Sequence, residues 1–166
     1  MLLPAARSAR RFLLLLLILL ALGRFAPPAS GQAASDVAVV VHPDVPVDNL
    51  TVGELRRVVL GDREFWPAGL RITLLIRAPI AHERDVVLKN LCQMTEAQFR
   101  QHWIGKVFRA DTALAPKIVY STDMATDMVG RFPGAIAFIE ASQVGKGLKV
   151  VKIDGRLPGE KGYILH

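Results

Sequence analysis

Between residues 36 and 153, apolar runs of strand length alternate with segments that open on helix caps, and this alternation confines the fold to a narrow class. The first run, Asp36 to His42 (DVAVVVH), is rich in valine and stops at Pro43, which predicts a buried strand followed by the loop PDVPVDN. A helix start comes next. Thr51 with Glu54 three residues later makes a capping box: the hydroxyl can take one free amide of the first turn while the carboxylate reaches back to another. Leu50 and Leu55 flank the box as a hydrophobic staple. Leu55, Val58 and Val59 supply an apolar face, and Gly61 suits the left-handed residue that ends a helix. These features predict a helix from about Val52 to Leu60.

The pattern then repeats. DREFWPAGLR, with Pro67 and Gly69, predicts a turn, and Arg71 to Ile76 predict a second strand with Arg77 directly after it. A helix is expected from about His82 to Leu91. The capping device recurs at Thr95 and Gln98, stapled by Met94 and Phe99. Phe99, Trp103 and Val107 fall on one face of the helix that follows, which makes Trp103 a core residue rather than a ligand platform. PKIVYS is a third strand, and Ser121 or Thr122 caps a helix ending near Arg131. FPGAIAFI turns at Pro133 and Gly134 into a fourth strand, and GLKVVKI alternates like a fifth with one exposed face. The class is therefore α/β: a mostly parallel (mixed) sheet with helices on both faces. Residues 154–166, DGRLPGEKGYILH, are expected as a polar C-terminal tail with little core.

The start of the chain is of another kind. Arg7, Arg10 and Arg11 form a basic region, Phe12 to Leu22 is an uninterrupted apolar run, and RFAPPASGQA ends in small residues. This is the plan of a secretory signal, with cleavage after Gly31 or Ala33. The apolar run is about half the ~20 residues that span a bilayer, so no stable membrane span is expected once the signal is removed. No cysteine stands directly after it, at 23–35, to accept a lipid. The expected organisation is a signal over 1–31, an α/β domain over 36–153 and the tail over 154–166, with the mature protein periplasmic or secreted.

Removing the signal changes the charge. Residues 1–31 hold four arginines and no acid, leaving 17 basic side chains against 15 acidic ones, so the formal charge falls from +6 to about +2. Nucleic acid is therefore not an expected partner. Cys92 is the only cysteine, so no disulfide can form within the chain and stability must come from a packed core.

The obvious chemical constellations are missing. His42, His82, His102 and His166 are scattered without the spacing of a metal site, and neither a metal nor a cofactor is expected. Gly145-Lys146-Gly147 lacks the surroundings of a phosphate loop and reads as a turn. Ser121 has no nucleophile elbow around it, and no nucleophile, base and orienting group can be assembled, so no enzymatic activity is expected. Two places remain where a strand end meets a helix start: Arg77 before the 82–91 helix, and Tyr120-Ser121-Thr122 before the next. Ligands of open α/β sheets bind at such places, where backbone amides and the helix dipole favour anions. Helix caps beside a solvated arginine would read the same way.

Together, LTVGELRRVVLGDREFWPAGLRITLLIR and GRFPGAIAFI resemble the phosphate-binding substrate-binding proteins of ABC importers, members of the type 2 periplasmic-binding superfamily. The matching elements are Leu55 with Val58 to Gly61, the turn at Trp66, the strand leading to Arg77, and Pro133 to Phe138. The resemblance covers most of residues 36–153 and implies one lobe of a fold that in the family has two. It further implies phosphate or another small oxyanion as ligand, and an ABC permease or another envelope protein as partner. In the family an arginine after this strand is followed by Ser-Gly-Thr at the helix start, and together they hold phosphate. Arg77 matches that arginine, whereas APIAHER carries no serine, threonine or glycine. The implied anion site is therefore degenerate, with Arg77 as contact and Ser121 or Thr122 assisting. The alternative is an envelope interaction module that keeps the lobe and binds a protein.

Overall fold

In the computed structural model, which describes residues 36–112 and 114–166, both capping boxes sit where helices begin. The expected signal segment and its cleavage point lie outside the described residues. Thr51 Oγ1 accepts the Glu54 amide at 3.2 Å while the Glu54 carboxylate accepts the Thr51 amide at 2.9 Å, opening α1, Val52–Val59. Thr95 and Gln98 exchange the same pair of bonds at 3.2 and 2.9 Å, opening α3, Glu96–Phe108. Between them α2, His82–Val86, runs on into a wide π-type turn, Val87–Cys92, which ends at Gln93 in the left-handed conformation. The remaining helix, α4, spans Thr122–Arg131.

The strands are β1 (Val37–Val41), β2 (Asn49–Leu50), β3 (Thr73–Arg77), β4 (Lys117–Val119), β5 (Ala135–Glu140) and β6 (Lys149–Ile153). They form one sheet in the order β2-β6-β1-β5-β3-β4. β3 is parallel to β4 and β5, and β2 is parallel to β6. β1 runs antiparallel to both β5 and β6, so the sheet is mixed and mostly parallel. β3 includes Arg77, so the arginine is the strand's last residue rather than the first beyond it. β2, inside a segment expected as loop, is only two residues long, too short to carry a period.

Helices cover both faces. Val37, Val39 and Val41 of β1 pack with Leu55, Leu91, Phe99 and Phe138 on one side, while Ala38 and Val40 meet Ala125 and Val129 of α4 on the other. A strand buried on both faces has no polar alternation, which is why DVAVVVH reads as a continuous apolar run. Of the three residues expected on one face of α3, Phe99 and Trp103 are buried, whereas Val107 is 49% exposed.

Residues 154–166 contribute more to the core than a polar tail would. Tyr163 and Leu165 are buried, the Tyr163 hydroxyl donates to the Val37 carbonyl at 2.8 Å, and the Val37 amide donates to the Leu165 carbonyl at 2.8 Å. Two apolar residues among glycines and charges give no periodic signal, yet their bonds complete the start of β1 at Val37. A second long-range tie joins the turn at Trp66 to the start of β5: the buried indole Nε1 donates to the Gly134 carbonyl at 2.9 Å. Gly134 has φ of 82°, and a Cβ there would collide with the Arg71 carbonyl oxygen. Among the described residues no helix is long and apolar enough to cross a membrane.

Candidate functional site

The parallel strands β3, β4 and β5 end at the same edge of the sheet, and the residues singled out from the sequence lie there. Register sets Arg77 beside Val119, and the Ala78 amide donates to the Val119 carbonyl at 2.9 Å. Tyr120 and Ser121 therefore leave β4 next to the place where the chain leaves β3. After Arg77 the chain turns through Ala78 to Ala81 into α2. Within that turn Ile80 is fully exposed and has φ of 77°, a region comfortable for glycine but strained for a β-branched side chain.

The Arg77 guanidinium turns toward its own chain. Its Nε lies 3.1 Å from Oε1 of Glu83, in the first turn of α2, with only 15% of the arginine side chain and 8% of the glutamate side chain exposed. The contact is one of charge rather than an aligned hydrogen bond: Nε and Nη1 are both buried, and neither has a hydrogen-bond acceptor among the described residues. A guanidinium so placed has unused donor capacity but faces a fixed carboxylate, which repels any second anion.

Behind it, Arg84 holds the strand end in place. Its Nε and Nη2 donate to the Glu96 carboxylate at 2.7 and 2.9 Å, its Nη1 donates to the Arg77 carbonyl at 2.9 Å, and its guanidinium lies 5.3 Å from the Phe99 ring centroid. Arg84 is buried and fully engaged, so it positions Arg77 rather than offering a free charge.

Both hydroxyls at the start of α4 have partners. Ser121 Oγ accepts the Met124 amide at 3.1 Å, which is the N-cap of α4. The Thr122 hydroxyl donates to Gln143 Oε1 at 2.7 Å, and Gln143 Nε2 donates to Glu140 at 2.8 Å. The capping role expected for Ser121 is thus present, while Thr122 joins a side-chain chain that ends on an acid. Two larger recesses lie nearby, one of about 750 Å³ along Pro79, Ile80, Leu88 and Met94, the other of about 470 Å³ between α3 and β4. Arg77, Ser121 and Thr122 line neither. No three His, Cys, Asp or Glu side chains gather into a metal site among the described residues.

Sequence reasoning missed Glu83, Arg84 and Gln143. Glu83 left one trace, an acid in the first turn of the helix that follows the arginine, but a first-turn acid is also what the helix dipole favours in any protein. Gln143 left none, since its partner Thr122 lies 21 residues away.

Solved structures with the same arrangement identify the architecture. PstS from Borrelia burgdorferi superposes with a TM-score of 0.63 at 15% identity, covering 79% of this chain and 54% of its own. An ABC-type phosphate transport receptor from Vibrio cholerae matches with a TM-score of 0.61 at 21% identity over 75% of this chain and 48% of its own. The fold is that of one lobe of a phosphate-type substrate-binding protein. A third match, described as a phosphate ABC transporter substrate-binding protein from Clostridium perfringens and solved with bound phosphate, has a TM-score of 0.59 at 18% identity over 73% of this chain and 46% of its own. The chain thus spans about half the length of these structures. No family model matches the sequence.

Proposed function

We propose that the chain is a secreted or periplasmic solute-binding lobe of the phosphate type, non-enzymatic, with a degenerate anion site centred on Arg77 and assisted by Ser121 and Thr122. The observation that carries this reading is the place of Arg77, a buried cation at the carboxyl edge of the parallel strands in a fold like that of the phosphate-binding structures; its pairing with Glu83 of the chain's own α2 is what makes the site degenerate. The fold supports the solute-binding class, and the likeness to phosphate-binding structures supports phosphate or a related oxyanion as the ligand. An ABC permease, or a second lobe supplied by another protein, would complete the assembly. The internal carboxylate makes the affinity low, since an entering oxyanion must displace or sit beside a fixed negative charge.

Calorimetric titration with phosphate tests this reading. Wild type is expected to bind more weakly than about 100 μM. Glu83→Ala, which removes the competing charge and opens space, is expected to bind about tenfold tighter or better, and Arg77→Ala/Glu83→Ala not at all. Silence of both wild type and Glu83→Ala toward phosphate would overturn it. That result would favour the second reading, an envelope interaction module. This second reading draws on Ile80, fully exposed, and Tyr120, 73% exposed, which present apolar surface at the same edge.

A further inference from the structure

β4 is the last strand of the sheet, and no strand of the described residues lies beyond it. The Val119 carbonyl points toward β3, where it takes the Ala78 amide, so the alternation of a strand turns the N–H and C=O of Ile118 and the N–H of Tyr120 outward. Pro116 adds an outward carbonyl and, lacking an N–H, marks where this open edge begins. Beside the edge runs the groove of about 470 Å³, lined by Ile76, Phe99, Trp103, Ile104, Phe108 and Ile118. Its rim is unusually apolar for a surface: Ile104 is 55%, Phe108 91% and Ile118 43% exposed. β4 is short and carries Pro116 and Lys117, which discourage indiscriminate pairing, yet Ile104, Phe108 and Ile118 stay exposed beside it, and apolar side chains next to an open edge are normally covered.

Charge narrows the choice of what covers this one. Around the groove Arg84 pairs with Glu96, Lys106 with Asp62 and Arg109 with Asp111. Arg100, which lines the groove, and Lys117, which is in register with Leu75 and so lies on the other face of β4, are exposed and have no ion pair among the described residues. A second copy docked edge to edge would bring four unpaired cations to the seam and, among the described residues around the groove, no free acid to meet them. An acidic partner gains from the same two residues.

We propose that the β4 edge and this groove receive an extended segment of another protein, apolar at alternate positions and acidic at its ends, which adds to the sheet as a seventh strand. Main-chain bonds to Pro116, Ile118 and Tyr120 hold the segment, its alternate side chains enter the groove, and Arg100 and Lys117 meet its acids. The inference does not require Arg77 to carry an anion.

The test uses a short synthetic peptide with valine at alternate positions and aspartate at both ends, its scrambled isomer, and the mature protein. The expected results are slowed amide exchange at Ile118 and Tyr120 on adding the peptide, and affinity at least about tenfold above the isomer. Ile118→Pro removes an outward donor while leaving the bonds to β3 in place, and Phe108→Ser alters a side chain that is almost wholly in solvent. Each is expected to weaken binding about tenfold, as is Arg100→Glu. Equal affinity for both peptides, or no loss in all three variants, would overturn the proposal. So would a concentration-dependent dimer that protects the Ile118 and Tyr120 amides without peptide, because the occupant would then be a second copy.

Discussion

Arg77 and Glu83 face each other at 3.1 Å across the turn between β3 and α2, each largely withdrawn from water. This contact joins the end of a strand to the start of a helix at the carboxyl edge of the parallel strands. Replacing Glu83 by Leu leaves a buried guanidinium without its counter-charge, and a loss of about 3–5 kcal/mol is expected. Replacing both, Arg77→Leu/Glu83→Leu, should cost less than either single change, because two apolar side chains can fill the space without an orphaned charge. Urea unfolding of the three variants measures the coupling directly. Additive losses would mean the two side chains do not depend on each other.

Gly134 holds a second junction. Its positive φ and the proximity of the Arg71 carbonyl leave no room for a side chain, while its own carbonyl accepts the Trp66 indole. Gly134→Ala is therefore expected to destabilise the fold by more than about 2 kcal/mol, through strain and the displacement of Arg71. Trp66→Phe, which removes one of that carbonyl's two donors while the Thr73 amide stays on it at 3.1 Å, should cost about 0.5–1.5 kcal/mol. Thermal unfolding of both variants is the check, and a Gly134→Ala protein as stable as wild type would contradict the geometry.

Alkaline pH should weaken the fold. Burial pushes the Cys92 thiol from its ordinary value of 9.0 up to about 11, and burial reinforced by Asp36 also raises the Tyr163 hydroxyl. Both are acids that hold their protons longer when folded, so the unfolded chain binds fewer protons in this range and stability falls as pH rises. The contribution of Cys92 is complete below pH 9.0 and is lost as pH climbs through about 11. Unfolding midpoints measured from pH 7 to 11 should decline above about 9. The native thiol should also resist alkylation at neutral pH and react only on unfolding.

Much of the fold was legible because its signals are local. The boxes at Thr51 and Thr95 mark helix starts through residues three apart, and both hydrogen-bond pairs are present. The valine run of β1 and the Pro133-Gly134 turn into β5 likewise need only their neighbours. What escaped depends on distance along the chain. β2 exists because Asn49 and Leu50 find β6 about a hundred residues later, and Tyr163 and Leu165 are buried because they reach β1. At the candidate site, position told that Arg77 lies at the carboxyl edge of the sheet, but not that Glu83 already faces it. That required knowing which way α2 turns after Ile80.

The most direct measurement is the thermal midpoint of Glu83→Ala as phosphate is added, beside wild type and a chloride control of equal ionic strength. Without phosphate the variant should melt below wild type. With phosphate at 100 times the variant's dissociation constant it should regain about 2.7 kcal/mol, while wild type, binding about tenfold more weakly, gains at most about 1.4 kcal/mol at the same concentration. A variant that melts with wild type and ignores phosphate would contradict a site in which Glu83 takes the place of the anion.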